Sequence, residues 1–130
     1  AGRGETVLYV EDEDAVRALG TRTLRRLGYT VLEACGGGEA LGVSERHAGE
    51  IDLLLTDVVM PEIGGRELAD ELAGRRPGLR VLYVSGYTAD VVARHGVAED
   101  GRGFLEKPFS PALLAERVRE VLDGALEAAA

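Results

Sequence analysis

Short apolar runs alternate with amphipathic stretches along the chain, and the two follow different periods. Thr6 to Val10, Thr30 to Ala34, Ile51 to Thr56, Val81 to Val84 and Gly103 to Glu106 are brief and rich in strand-forming side chains. The third run is almost unbroken, which predicts a central strand buried on both faces. Between the runs, Val16, Leu19, Leu24 and Leu27 fall on one helical face that stops at Gly28, with Asp14 positioned to cap it. Gly36-Gly37-Gly38 precedes a helix carrying Ala40, Leu41 and Val43. Met60-Pro61 and Gly64-Gly65 precede another with Leu68 and Leu72, ending near Gly74 and Pro77. Ser110-Pro111 signals the start of a last helix with a face of Leu114, Val118, Val121 and Leu122 and a stop at Gly124. The pattern is thinnest over Ala89 to Gly103, where Asp90 to His95 allow a short helix and Gly96, Gly101 and Gly103 oppose a long one. Mobility is expected there, as it is for the lead-in Ala1 to Gly4 and the Ala-rich tail.

Strands alternating with helices through short turns predict an α/β domain, a parallel sheet covered on both faces and joined by right-handed crossovers. A chain of 130 residues suits one domain over 1–130, with a core at about 5–123. No internal repeat or low-complexity linker divides it. No apolar stretch approaches the roughly 20 residues of a membrane helix, so the chain reads as soluble, with no membrane segment. Fifteen basic against 23 acidic residues give a net charge of -8, which repels phosphate backbones and makes a nucleic-acid partner unexpected. Arg17, Arg22, Arg25 and Arg26 share the first helix and read as its solvated face, a docking patch being the alternative. Cys35 is the single cysteine, so no intramolecular bridge is possible; it is expected to be a small buried side chain, in keeping with a reducing, cytoplasmic setting.

Charge collects at three strand ends. Glu11-Asp12 follow the first strand, Asp57 the third and Lys107 the fifth, and Lys107 is the one lysine among 15 basic residues. In an open parallel sheet the carboxyl ends of the strands face one crevice, so distant residues become neighbours. Taken singly, each has an ordinary explanation. Glu11 to Asp14 suit a helix N-terminus, Asp57 and Ser85-Gly86 suit turns, and Lys107 suits a surface. Together they describe an acidic pocket with one compact ammonium. Clustered carboxylates repel unless protons or a cation relieve them, and Mg2+, a hard ion content with one or two carboxylates plus waters and phosphate oxygens, fits best.

Four segments in order, Val10-Glu11-Asp12-Glu13, Thr56-Asp57-Val58-Val59-Met60-Pro61 with Gly65, Val84-Ser85-Gly86, and Phe104-Leu105-Glu106-Lys107-Pro108-Phe109, resemble the receiver domain of two-component response regulators over about residues 5–123. The resemblance implies a flavodoxin-like, doubly wound, five-stranded parallel sheet in the order 2-1-3-4-5. Periodicity alone leaves that order open. It further implies Asp57 as the phosphoacceptor, Asp12 and Asp57 as direct Mg2+ ligands, Glu11 as a ligand directly or through water, and the Val59 carbonyl as another. Many receivers carry two aspartates where this chain has Glu11-Asp12. Lys107 and Ser85 would contact the phosphoryl group, Ser85 and Phe104 would form a switch pair, and the Lys107-Pro108 bond would be cis. Val59 and Tyr87 would flank the path of attacking water, with Tyr87 tuning phosphate lifetime. The implied partner is a histidine kinase or histidine phosphotransfer protein, and Val81 to Thr88 resembles receivers attached to hybrid sensor histidine kinases.

Two other functions fit parts of the pattern. Asp12 and Asp14 form the D-x-D arrangement of haloacid dehalogenase phosphohydrolases, although Asp57 on the third strand and the lack of a cap domain argue against that enzyme. A phosphate-independent binding module would use the same surface without chemistry at Asp57. The expected role is a switch rather than an enzyme with turnover, either free-standing or part of a longer protein. His47 and His95 read as surface residues. Oligomeric state is left open.

Overall fold

A computed structural model describes residues 4–86 and 103–124. Five strands, β1 (Thr6–Val10), β2 (Thr30–Ala34), β3 (Leu53–Asp57), β4 (Arg80–Ser85) and β5 (Gly103–Glu106), form one sheet in the order β2-β1-β3-β4-β5, with every neighbouring pair parallel. Around it lie α1 (Asp14–Arg26), α2 (Gly37–Arg46), α3 (Gly65–Arg75) and α4 (Pro111–Leu122). The strand order reverses between β1 and β3, and a crevice opens at the carboxyl ends of those two strands.

Side chains alternate across a strand, so the sheet builds two cores. Leu8, Val10, Leu54 and Tyr83 meet Ala40 of α2 and Leu68 and Leu72 of α3 on one face. Val7, Tyr9, Leu55, Leu82 and Leu105 meet Leu24 of α1 and Leu114 and Val118 of α4 on the other. β3 is buried at every position, as a strand with neighbours on both edges and helices on both faces must be. Ser110 and Pro111 open α4 as the sequence indicates, with Ser110 Oγ accepting the Leu113 N–H at 3.1 Å. Gly28 (φ +96°) and Gly124 (φ +77°) follow α1 and α4 in the left-handed conformation that ends helices.

Several expectations are corrected. Leu19, placed by spacing on the buried face of α1, is 55% exposed. The face that packs down is Gly20, Thr21 and Leu24. The Tyr9 ring is the reason: it fills the space over Gly20, where a Cβ would stand 2.6 Å from it. Leu19, roughly 100° round the helix from Gly20, points instead toward a cleft shared with Phe109. Asp14 is the first helical residue rather than a cap; Glu13 is the N-cap and makes no side-chain cap bond. Cys35 is exposed, because β2 has already ended and the turn is held by the Cys35 N–H donating to Glu39 Oε1 at 2.9 Å. β3 begins at Leu53, later than its apolar run, because Asp52 turns aside to accept the Thr6 N–H at 2.8 Å, and it includes Asp57. β4 is longer than expected at both ends, and α2 begins inside the triple glycine. The helix expected at Asp90 to His95, Tyr87, all of the Ala89 to Gly103 segment before Gly103, the residues before Gly4 and the tail after Gly124 lie outside the described residues.

The amino end of the sheet is tied by arginines. Arg119 of α4 donates to Glu5 Oε2 at 2.7 Å, to the Tyr29 hydroxyl at 3.2 Å and to Asp123 Oδ1 at 2.9 Å. Arg80 donates to the Val121 carbonyl at 3.3 Å. Arg76 reaches back to the end of α2, donating to the carbonyls of Ser44 at 2.8 Å and His47 at 2.9 Å. His47 is therefore the half-buried C-cap of α2.

Gly65 opens α3 directly against the Asp57 carbonyl, which a Cβ would overlap, whereas Gly74 of the same helix faces open space. Gly65→Ala is expected to lower stability by about 2 kcal/mol or more, and Gly74→Ala to raise it by about 0.5–1 kcal/mol. Urea unfolding compares the two; similar midpoints would show that the Asp57 backbone gives way.

Candidate functional site

The carboxyl ends of the strands open into a cleft of about 140 Å³, lined in part by Asp12, Glu13, Asp57, Val59, Ser85 and Lys107. β1 ends at Val10, but the Glu11 N–H still donates to the Ala34 carbonyl at 3.1 Å, so the strand's alternation persists one residue further. Glu11 therefore turns inward and is 1% exposed, and Asp12 turns out to solvent. Asp57 ends β3 at 5% exposure, and Ser85 ends β4 at 3%. The Ser85 carbonyl accepts the Lys107 N–H at 2.8 Å, which carries the lysine to the cleft, and the Lys107-Pro108 peptide is cis.

Glu11, Asp12 and Asp57 each offer a carboxylate oxygen within 4.8 Å of the others. Lys107 Nζ lies 2.7 Å from Glu11 Oε1 and 3.0 Å from Asp57 Oδ1, with Glu13 Oε1 at 3.9 Å. Glu11 Oε2 accepts the Glu13 N–H at 3.1 Å. Glu11 Oε1 is buried and no well-aligned hydrogen bond reaches it; the ammonium's charge is what it has. Val59 is half-buried at the rim of the cleft. Phe104 stands apart, level with Tyr83 in the sheet and half-buried against the core on that face.

The charges do not balance. Burial, and then the Glu11 carboxylate beside it, push the Asp57 carboxyl up to about 8 against the pull of Lys107. Burial would raise Glu11 too, but its contacts with Asp57 and Lys107 outweigh that and its pKa is lowered. For Lys107, burial is outweighed by the same two carboxylates and the ammonium is held more firmly. Once Asp57 ionises, two buried carboxylates and the nearby Asp12 share one ammonium. An all-oxygen donor set of three carboxylates with a single ammonium among them fits a hard divalent cation.

Two further residues hold the acidic turn. Glu13 bonds the Glu11 carboxylate through its backbone. Arg17, grouped by sequence with the solvated arginines of α1, is only 18% exposed. Its Nη1 donates to the Glu11 carbonyl at 2.7 Å and its Nη2 to Asp14 Oδ1 at 2.8 Å, while Nε is 3.5 Å from Glu33 of β2. The available signal was the Asp14–Arg17 spacing of three at a helix start.

A family model described as the response regulator receiver domain matches residues 7–119. The sensor kinase CckA of Brucella abortus (strain 2308) is 50% identical over 118 residues, 91% of this chain. The chain spans only 12% of that kinase's length. The response regulator receiver protein CpdR of the same strain is 32% identical over 117 residues, 89% of this chain and 95% of its own. Among solved structures, the receiver domain from the hybrid histidine kinase CckA aligns with a TM-score of 0.75 at 44% identity, covering 90% of this chain and 98% of that one. The Vibrio cholerae chemotaxis response regulator CheY4 aligns with a TM-score of 0.79 at 28% identity, over 91% of this chain and 98% of that one.

A carboxyl that binds its proton more tightly folded than unfolded favours the fold at low pH. That advantage is lost as pH rises from the ordinary 3.8 of Asp57 through about 8. Glu11, with a lowered pKa, acts in the opposite sense and only below its ordinary 4.5. Stability of the metal-free protein, measured by urea unfolding in chelator, is expected to decline between those limits, and Asp57→Asn should flatten the decline. Equal slopes for the two proteins would contradict the assignment.

Proposed function

The chain belongs to the family of response regulator receiver domains, modules of two-component signal transduction, and on that premise we propose that Asp57 is the residue that takes the phosphoryl group. The observation that carries this reading is the position of Asp57, a buried carboxylate at the base of an open cleft, 3.0 Å from the one lysine and beside a second buried carboxylate. Its donor is a phosphohistidine on a histidine kinase or phosphotransfer protein. The unit is a single receiver domain, and its role is that of a switch set in the cytoplasm rather than an enzyme with turnover. No helix among the described residues is long and apolar enough to cross a membrane.

An ionised Asp57 oxygen attacks phosphorus, a new O–P bond forms and the N–P bond breaks. The electron pair stays on the departing imidazole nitrogen, which is protonated there. Transfer of this kind needs in-line placement and compensation of charge on the phosphoryl oxygens more than covalent help. Lys107 supplies an ammonium already aimed at Asp57, and its contacts also favour the ionised carboxylate needed for attack. Mg2+, held by Glu11, Asp12, Asp57 and the Val59 carbonyl, would supply further positive charge to those oxygens. The Ser85 hydroxyl donates to a phosphoryl oxygen and draws the end of β4 inward. Phe104, on the same face one strand away, is free to follow because its ring is only half-buried.

Intact mass after brief incubation with acetyl phosphate tests the reading. Wild type with Mg2+ should carry one acid- and base-labile adduct, absent without Mg2+ and absent in Asp57→Asn. An adduct that persists in Asp57→Asn but disappears in Asp12→Asn would overturn the assignment. Lys107→Ala should bind Mg2+ yet form the adduct about 100-fold more slowly.

A further inference from the structure

We propose that Arg17 is a positioning residue that preforms the acidic turn for its divalent cation; the cation itself rests on the reading above. The peptide joining Glu11 to Asp12 is the piece of backbone on which the site depends, because its plane sets the direction in which the Asp12 carboxylate leaves the chain. Asp12 is exposed, and no side-chain hydrogen bond or ion pair holds its carboxylate among the described residues. Its aim is therefore inherited from the backbone. The Glu11 N–H is fixed by the Ala34 carbonyl at 3.1 Å, and the Glu11 carbonyl is fixed by Arg17 Nη1 at 2.7 Å. Those two bonds clamp residue 11 on both sides.

Arg17 suits the task because its fork is rigid and can hold several acceptors in one plane. One arm takes the carbonyl and another takes Asp14 one helical turn earlier, while Nε faces Glu33 on the neighbouring strand. The guanidinium thus references the turn to both α1 and β2. Lysine at this position retains the charge but not the fork. Outer groups of this kind, which orient a ligand without touching the ion, typically change metal affinity by about 10–100-fold when removed.

Charge and position predict opposite signs. If Arg17 acted only as a nearby positive charge, its removal would relieve repulsion and tighten Mg2+ binding. If it positions the turn, removal weakens binding. Mg2+ affinity of the full chain by titration calorimetry is expected to fall about 10-fold in both Arg17→Ala and Arg17→Lys, while Arg22→Ala, at an exposed arginine of the same helix, leaves it unchanged. Amide hydrogen exchange without metal gives the second readout. The Glu13 N–H, bonded to Glu11 Oε2, should exchange faster in both Arg17 variants than in Arg22→Ala, at matched unfolding midpoints. Affinity that is unchanged or tighter in Arg17→Ala, or fully restored in Arg17→Lys, overturns the proposal. If wild type binds no Mg2+, the cation reading fails on its own, and unchanged Glu13 protection would then separately refute the clamp. Should Arg17→Ala fail to fold, Arg17→Lys carries both measurements.

Discussion

Two carboxylates, on Glu11 and Asp57, are buried side by side at the carboxyl end of a parallel sheet, with Lys107 as the ammonium between them. Burial and like charge raise the proton affinity of Asp57 in the metal-free domain, against the pull of Lys107. An arrangement of this kind is unfavourable as a piece of architecture. It is tolerated because the strands that carry the two carboxylates are deeply packed: neither β1 nor β3 has an exposed position, and the cores on the two faces draw on all four described helices. The stability of the sheet thus permits an excess of negative charge at one end, an all-oxygen donor set of the kind that suits a hard cation.

The strand order decides which residues feel a change at Asp57. Asp57 lies level with Val84 of β4, and the Val58 N–H donates to the Val84 carbonyl at 3.0 Å, so Ser85 is the next residue along that neighbour. The Ser85 carbonyl in turn holds the Lys107 N–H. A chemical event on β3 is thus one bonded step from β4 and two from the turn after β5. On the other side of Asp57, α3 begins at Gly65 against the Asp57 carbonyl, a contact that admits no side chain.

Most of the architecture was legible because apolar runs of four to six residues alternating with helical faces leave few arrangements open. The order of the strands was not in the periodicity; it came from the four motifs taken together. The site residues were legible as types at strand ends, and the sheet brings Glu11, Asp12, Asp57, Ser85 and Lys107 to one cleft. What escaped was anything set by contact across elements. Leu19 was assigned to the core because a one-dimensional pattern carries no sign that Tyr9 fills the place above Gly20. Cys35 continued an apolar run although the strand had ended at Ala34. Arg17 was counted among solvated arginines because its partners are a carbonyl in the preceding turn and a glutamate on another strand.

The Arg119 and Arg80 contacts place the start of β1 and the end of α4 together at the amino edge of the sheet, away from the cleft. A neighbour joined through that edge leaves the charged mouth uncovered. The matched region accordingly recurs in relatives of very different size, this chain spanning 12% of one and 95% of another.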